Sequence, residues 1–153
     1  MQEIVSLLKE QNLTIGSIES MTGGLFAAEI TNVAGASKVF KGSVVSYSPL
    51  VKENVVGVNK LTIEKYGVVS KEVAIEMAKK GRELLDVNIC VSVTGNAGPT
   101  SEPGSAGVGV VYIGISSQAG TYSVKRLFKG TREEIRKQAL LAMQEEVLIL
   151  IRK

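Results

Sequence analysis

The stretch Thr14-Ile15-Gly16-Ser17-Ile18-Glu19-Ser20-Met21-Thr22-Gly23-Gly24 indicates the fold class, because a strand pattern ends in it and a helix pattern follows directly. Residues 14–18 alternate as in a β-strand, and apolar residues recur at helical spacing from Leu25 to Ile30. A strand that turns directly into a helix is the repeating unit of α/β folds. We therefore predict a strand, a turn that builds a site, and a helix that ends near residue 33.

The turn combines hydroxyl side chains with glycines. Gly23 and Gly24 let the backbone approach a ligand that a Cβ would hold away. The first amides of a helix are free donors for an anion or a developing oxyanion. Ser20 or Thr22 then serves as a nucleophile, a helix N-cap, or both. The alternative is a structural turn, in which a hydroxyl only caps the helix and the glycines shape the chain.

Length and composition limit the architecture. With 153 residues, 44% of them hydrophobic, we expect residues 1–153 to form a single domain with a sizeable core. No apolar run reaches membrane-spanning length and the N-terminus lacks a secretory pattern, which favours a cytoplasmic protein without a membrane segment. Cys90 is the only cysteine and lies in an apolar run, so we expect it in the core and exclude disulfides and cysteine-based metal sites.

The chain contains no histidine, and this excludes histidine triads, histidine metal sites and histidine acid-base catalysis. Any general base must be Lys, Asp, Glu, Tyr or a group of the substrate. The net charge of +3 suits an anionic small ligand but is too mild to indicate nucleic-acid binding. The 5% aromatic content also gives little material for stacking bases.

The rest of the chain alternates between helix and strand patterns. An almost unbroken apolar run over residues 87–93 is typical of a central strand buried on both faces. Thr131 and Glu134 form a capping-box pattern at the start of the last helix. The other patterns predict helices over 2–11, 59–66 and 70–86, a strand over 42–48, a polar turn at 52–54, and a hairpin of strands over 107–116 and 120–129. The prediction is an α/β fold: a three-layer α/β/α sandwich with a mostly parallel sheet and an antiparallel hairpin.

Without histidine, a hydroxyl nucleophile needs a lysine whose pKa is lowered by its surroundings. Lys52 is the best placed lysine, because it follows the second strand as Ser20 follows the first. In a parallel sheet both residues would lie at the same edge. The alternative for Lys52 is an ordinary surface charge. Two alternatives also stand for Tyr47: it is either a proton relay or a packed residue of the strand.

A second glycine-rich segment, Thr94-Gly95-Asn96-Ala97-Gly98-Pro99, follows the predicted central strand, where open α/β sheets place ligand loops. It offers backbone amides and a hydroxyl to a substrate, but it matches neither a Walker loop nor a dinucleotide-binding loop. Arg132, at the start of the last helix, is either a phosphate ligand or an exposed arginine.

Several motifs in this order resemble the CinA C-terminal domain family, the nicotinamide mononucleotide deamidases. They are Glu19-Ser20-Met21-Thr22-Gly23-Gly24, Gly35-Ala36-Ser37, Tyr47-Ser48 with Lys52, Gly67-Val68-Val69-Ser70 and Thr94-Gly95-Asn96-Ala97-Gly98-Pro99. The resemblance covers nearly the whole chain. It implies an α/β/α fold and hydrolysis of nicotinamide mononucleotide to nicotinate mononucleotide and ammonia, in pyridine-nucleotide salvage. It further implies no cofactor, no metal and a homodimer or larger homo-oligomer.

The resemblance also assigns roles to individual residues. Ser20 matches the nucleophile, Lys52 its proton-transfer partner, and Tyr47 and Thr94 nearby polar groups of the pocket. Arg132 matches a late arginine that would hold the phosphate. The expected substrate-binding set is Thr22, Gly23, Gly24, Gly95, Asn96, Ala97, Gly98 and Arg132.

The chain departs from the family pattern in the loop after Pro99. The family loop normally runs Gly-Pro-x-Gly-Gly, whereas here Pro99 is followed by Thr100-Ser101-Glu102, and Ala106-Gly107 stands where the family has Lys-Pro. Glu102 would repel the phosphate of a nucleotide. A second hypothesis is therefore a nucleotide-binding or regulatory domain of the same fold with weak or no turnover. The distance between the Ser20 hydroxyl and the Lys52 ammonium is the structural test of the enzyme hypothesis.

Overall fold

The computed structural model describes residues 1–152 of the chain. Helices and strands follow one another in nearly the predicted order. The strands are β1 (Ile15–Glu19), β2 (Phe40–Val45), β3 (Ile89–Gly95), β4 (Val110–Ser117) and β5 (Gly120–Leu127). The helices are α1 (Gln2–Glu10), α2 (Leu25–Thr31), α3 (Pro49–Val51), α4 (Lys60–Tyr66), α5 (Lys71–Leu85) and α6 (Arg132–Ile151).

The strands form a five-stranded sheet in the order β2-β1-β3-β4-β5. β1 runs parallel to β2 and β3, whereas β4 is antiparallel to both β3 and β5. Only β4 is therefore reversed, which confirms the predicted mostly parallel sheet with an antiparallel hairpin. In the register, Glu19 lies level with Val45 on one side and Val93 on the other. The residues that follow β1, β2 and β3 thus meet at one edge of the sheet.

Helices cover both faces of the sheet and confirm the predicted three layers. On one face α1, α2 and α6 bury a core that includes Leu8, Phe26 and Met143. On the other face α4 and α5 bury a smaller core around Ile18 and Met77. Each apolar side chain in these clusters is almost fully removed from water, and this burial is the main favourable contribution to folding.

Helix α5 lies unusually close to the sheet because glycines stand at the points of contact. A Cβ on Gly81 would come within 2.2 Å of Ile18 Cγ1, and a Cβ on Gly114 within 2.3 Å of the Ala74 carbonyl oxygen. The buried hydroxyl of Ser92 also donates a hydrogen bond of 2.7 Å to that carbonyl. The missing side chains therefore set the distance between this helix and the strands that carry the site.

Of the predictions about single turns and side chains, several are confirmed and one is wrong. The capping box of Thr131 with Glu134 is confirmed, and Ser70 caps α5 as predicted. Cys90 is buried in the core, where burial raises the pKa of its thiol to about 12. The predicted polar turn at 52–54 is wrong: residues Lys52–Val56 form a π-helical turn that continues α3. No helix within residues 1–152 has both the length and the apolar character that crossing a membrane requires.

Candidate active site

Ser20 and Lys52 meet at the edge where β1 and β2 end. The Lys52 ammonium donates hydrogen bonds to Ser20 Oγ at 2.9 Å and to the Ser46 carbonyl oxygen at 2.6 Å. Lys52 is 0% exposed and Ser20 only 7%. The two side chains therefore form a buried pair within hydrogen-bond reach, the geometry that proton transfer between a hydroxyl and an amine requires.

The short helix after β2 explains how a lysine becomes buried here. Ser48 caps α3 by accepting a hydrogen bond from the Val51 amide, and Pro49 occupies the first helical position. The next turn widens to a π-helix, in which the Gly57 amide bonds to the Lys52 carbonyl. Such π-turns often occur at functional sites because they change the direction of a side chain. The surface alternative for Lys52 is thus wrong.

Burial changes the acidity of Lys52. Desolvation disfavours the ammonium form and lowers the pKa of Lys52 from 10.5 to about 8. The neighbours supply a hydroxyl and a carbonyl, which are hydrogen-bond acceptors without a full negative charge. At pH 7 roughly a tenth of the Lys52 amine is therefore neutral, and a neutral amine can accept the proton of Ser20.

Glu19, the last residue of β1, holds the start of α2. Its carboxylate is fully buried and accepts hydrogen bonds from the Gly24, Phe26 and Ala27 amides and from the Thr22 hydroxyl, all between 2.7 and 3.2 Å. A carboxylate at this place also suits the positive end of the helix dipole. The N-cap of α2 is Gly24, without a side-chain cap. The expectation that Ser20 or Thr22 caps this helix is therefore wrong, because Glu19 does so.

The same network corrects the expected binding roles of Thr22, Gly23 and Gly24. The Thr22 hydroxyl and the Gly24 amide donate to Glu19, and the Gly23 amide donates to the Ser20 carbonyl at 3.0 Å. None of the three lines the cavity beside Ser20. The Thr22 hydroxyl and the amides of Gly23 and Gly24 already donate inside the protein, so these three donors are not free to hold a substrate or an oxyanion.

A cavity of about 430 Å³ opens beside Ser20. Tyr47, Thr94, Gly95, Asn96, Ala97 and Arg132 line it, together with Tyr66–Val69 and parts of the loop from Thr100 to Ala106. The Arg132 guanidinium donates to the Tyr47 hydroxyl at 2.9 Å and to the Gly98 carbonyl at 2.6 Å. Gly98 does not line the cavity and takes part only through this carbonyl. The structure thus brings Ser20 together with four of the eight predicted substrate-binding residues, Gly95, Asn96, Ala97 and Arg132.

Several of these residues have structural partners within the site. The Thr94 hydroxyl donates to the Val68 carbonyl at 2.9 Å. The Asn96 side chain accepts from the Gly98 amide and donates to the Ala106 carbonyl, so it ties the two ends of the loop together. Tyr47 is 60% exposed and contacts Arg132 rather than the pair of Ser20 and Lys52. Tyr47 therefore lies at the mouth of the cavity.

The cavity contains opposite charges. Arg132 from α6 and Glu102 from the loop both line it. An anionic substrate group is attracted by the first and repelled by the second. Within residues 1–152, no group of three or more Asp, Glu or Cys side chains is arranged to hold a metal ion.

Two residues of the site, Arg136 and Glu19, had no sequence-based role. Arg136, one turn after Arg132 in α6, donates to the Met21 carbonyl at 3.0 Å and to the Thr22 carbonyl at 2.8 Å. Its only signal in the sequence is a spacing of four residues from Arg132, which places both on one face of the helix. Glu19 gave a stronger signal, as a carboxylate in a buried strand just before a helix.

Comparison with known proteins relates the sequence of this chain to a family. The family model for the CinA C-terminal domain matches residues 1–150. A relative in Thermoanaerobacter sp. (strain X514), described as a competence-damage inducible protein, is 46% identical over 138 residues, which cover 90% of this chain and 33% of the relative. A CinA-like protein of Thermosipho melanesiensis is 44% identical over 141 residues, covering 91% of this chain and 35% of that protein. The chain thus spans about a third of the length of these relatives.

Solved structures agree in fold. A competence or damage-inducible protein from Enterobacter asburiae matches with a TM-score of 0.94 at 23% identity, over 97% of this chain and 94% of that one. The competence/damage inducible protein CihA from Agrobacterium tumefaciens matches with a TM-score of 0.89 at 30% identity, over 99% and 92%. The fold and the sequence lead to the same conclusion: this chain belongs to the CinA C-terminal domain family.

Proposed function

We propose that the chain is a nicotinamide-nucleotide amidase, which hydrolyses nicotinamide mononucleotide to nicotinate mononucleotide and ammonia without a cofactor. The observation that carries the proposal is the 2.9 Å hydrogen bond between buried Lys52 Nζ and Ser20 Oγ at the wall of a cavity. A buried serine beside a lysine of lowered pKa is the arrangement that acyl transfer uses when no imidazole is available.

The first half of the reaction forms an acyl-enzyme. Neutral Lys52 takes the proton of Ser20 while Ser20 Oγ bonds to the carboxamide carbon, which gives a tetrahedral intermediate with a negative oxygen. The Lys52 ammonium then returns the proton to the leaving nitrogen, the carbon–nitrogen bond breaks, and ammonia departs. The ester to Ser20 remains.

The second half uses water in place of Ser20. Water attacks the ester carbon and gives a proton to Lys52, and this proton returns to Ser20 Oγ as the carbon–oxygen bond breaks. Nicotinate mononucleotide is released, and its carboxylic acid loses the remaining proton of the water to solvent and becomes a carboxylate. Arg132 is the cation that lines the cavity, and we assign it to the phosphate of the substrate.

The direct test is ammonia release from nicotinamide mononucleotide by the purified protein. Ser20→Ala and Lys52→Ala should each abolish turnover while circular dichroism shows a folded protein. Arg132→Ala should raise KM much more than it lowers kcat, because it removes a contact made in both ground and transition states. Retention of ammonia release in Ser20→Ala would overturn the proposal.

The same samples separate the second hypothesis, a nucleotide-binding or regulatory domain. Its basis is Glu102, which lines the cavity opposite in charge to Arg132. Such a domain would be stabilised against heat by nicotinamide mononucleotide without any product, since a ligand that binds only the folded state raises the unfolding temperature.

A further inference from the structure

The turn that presents Ser20, residues 20–24, is held from two directions. The buried Glu19 carboxylate accepts a hydrogen bond from the Gly24 amide of the turn. From the other side, Arg136 of α6 donates hydrogen bonds to the carbonyls of Met21 and Thr22. Glu19 belongs to the neighbouring strand, but Arg136 comes from the last helix. The position of the turn therefore depends on a contact that spans most of the chain.

Peptide planarity extends the effect of Arg136 to the amides of the turn. The Met21 carbonyl and the Thr22 N–H belong to one rigid plane and point in opposite directions. A guanidinium that holds the carbonyl at 3.0 Å therefore also directs the N–H away from itself. The Ser20 carbonyl and the Met21 N–H likewise share one peptide plane. Because the Ser20 carbonyl accepts a hydrogen bond from the Gly23 amide, the direction of the Met21 N–H is also fixed.

These two amides are the free donors of the turn. In the part of the chain that the structure describes, neither the Met21 N–H nor the Thr22 N–H donates a hydrogen bond, although both residues are at most 5% exposed. A buried N–H without an acceptor costs free energy unless a ligand supplies the acceptor. The amide next to a nucleophilic serine is a usual donor to the oxyanion of acyl transfer.

Gly23 makes the approach of Arg136 possible. It has a φ of +62°, which favours glycine, and a Cβ at this position would lie 3.3 Å from the Arg136 Nη2 atom. The guanidinium thus rests directly against the backbone of the turn. Arg132, four residues earlier in α6, instead lines the cavity, whereas Arg136 does not. Arg132 therefore reaches the cavity, whereas Arg136 reaches the backbone of the turn.

We infer that Arg136 is a positioning residue, which holds the Ser20 turn so that Ser20 Oγ and the Met21 amide face the reacting group together. The inference rests on the proposed function for its substrate, but it concerns the reactivity of Ser20 itself. It can therefore be measured with a second, substrate-independent reaction of the same hydroxyl.

The experiment compares the wild type, Arg136→Ala, Arg136→Lys and the control Lys137→Ala, an exposed neighbour on the same helix. One readout is kcat and KM for ammonia release from nicotinamide mononucleotide. The other is the rate at which a fluorophosphonate modifies Ser20, followed by intact mass and peptide mapping. In that reaction Ser20 Oγ bonds to phosphorus, fluoride leaves, and the proton passes to Lys52.

Arg136→Ala should lower kcat and the Ser20 modification rate by about 100-fold, with KM within about twofold, because misplacement of a reacting group by about 1 Å has effects of this size. Arg136→Lys should be intermediate. Added guanidinium at sub-denaturing concentration should raise kcat of Arg136→Ala, whereas sodium chloride at equal ionic strength should not. A variant that only lost stability would show no such rescue.

Three results would overturn the inference: modification of Ser20 in Arg136→Ala at the rate of Lys137→Ala, a rise in KM with unchanged kcat, or no modification of Ser20 in the wild type. If Arg136→Ala is unfolded at the assay temperature, the Ser20 modification rate of Arg136→Lys relative to that of the wild type decides whether the inference holds. If the wild type is modified at Ser20 but releases no ammonia, the proposed function fails and the modification rates still decide the role of Arg136.

Discussion

At the scale of single residues, Lys52 is the position where function and stability oppose each other. Its ammonium is fully buried against a hydroxyl and a carbonyl. Removal from water disfavours the charge, and the same removal makes the amine available as a base. The cost of burying this group and its chemical use therefore have one physical origin.

The first prediction concerns the pH dependence of activity. Because the pKa of Lys52 is lowered to about 8, the fraction of neutral amine rises as the pH increases through that value. We expect kcat/KM for ammonia release to increase from pH 6 and level off above about pH 9, since the free enzyme then holds the neutral base. A rate that is constant from pH 6 to 9, or that declines, would contradict the assignment of Lys52 as the base.

The second prediction is that Lys52→Met stabilises the protein at neutral pH while it abolishes activity. Burial lowers the pKa of Lys52 from 10.5 in the unfolded chain to about 8 in the folded protein, so burial of the ammonium costs about 3 kcal/mol. The unfolded state binds more protons between pH 8 and 10.5. The wild type should therefore gain stability over that range, and the advantage of Lys52→Met should shrink.

Urea unfolding at pH 7 and pH 10 measures this difference. Lys60→Met is the matched control, because Lys60 is exposed and forms only a surface ion pair with Glu64. That control should change the free energy of unfolding by less than about 1 kcal/mol at either pH. A Lys52→Met protein less stable than the wild type at pH 7 would show that its two hydrogen bonds outweigh desolvation.

At the scale of secondary-structure elements, the connection from β1 to α2 depends on a carboxylate that belongs to the strand. Glu19 satisfies amides at the start of α2 that would otherwise lack partners. The helix has only seven residues, so this contact is a large share of what stabilises it. The orientation of Ser20, between Glu19 and the helix, follows from the same contact.

The third prediction is that Glu19→Gln destabilises the protein by about 2 kcal/mol, because an amide offers one acceptor oxygen where the carboxylate uses two. Its NH₂ group would also face backbone donors. Glu29→Gln, on the exposed side of α2, should change stability by less than about 0.5 kcal/mol. Denaturant unfolding of both variants tests this, and equal stabilities would contradict the role of Glu19.

The contact of α5 with the sheet gives a fourth prediction at the same scale. Alanine normally replaces glycine favourably inside a helix by up to about 1 kcal/mol. Gly81→Ala should nevertheless destabilise by about 1–3 kcal/mol, because the new methyl group would overlap Ile18 and Cys90. Lys79→Ala, exposed on the same helix, is the control. A more stable Gly81→Ala would mean that α5 moves away from the sheet without cost.

At the scale of the whole molecule, the cavity collects charges from distant parts of the chain. Arg132 enters it from the last helix, and Glu102 enters it from the loop between β3 and β4. Substrate affinity therefore depends on how the sheet and α6 bring these segments together. Arg132 attracts a nucleotide phosphate, and Glu102 repels it.

The fifth prediction is that Glu102→Gln lowers KM for nicotinamide mononucleotide several-fold and leaves kcat nearly unchanged. The loop is exposed, so water and salt screen the repulsion and the effect should weaken at high ionic strength. Glu64→Gln, an exposed carboxylate of α4 outside the cavity, should leave KM unchanged. An increase in KM for Glu102→Gln would show that the carboxylate contributes to binding.

Local features of this protein follow directly from its amino-acid sequence. Strand and helix periods, the capping box at Thr131, and the buried run of β3 depend on neighbouring residues and follow from side-chain spacing. The absence of histidine, joined to the position of Ser20 and Lys52 after successive strands, was also enough to propose that these two residues meet.

The contacts that support Ser20 and Lys52 are visible only in the folded protein. Burial of Lys52, capture of the α2 amides by Glu19 and the contact of Arg136 with Met21 join residues up to 115 positions apart. No local pattern contains such contacts, because they follow from strand register and from the packing of α6 on the sheet. What surrounds a polar side chain, and so the chemistry open to it, thus follows from what the fold places against it.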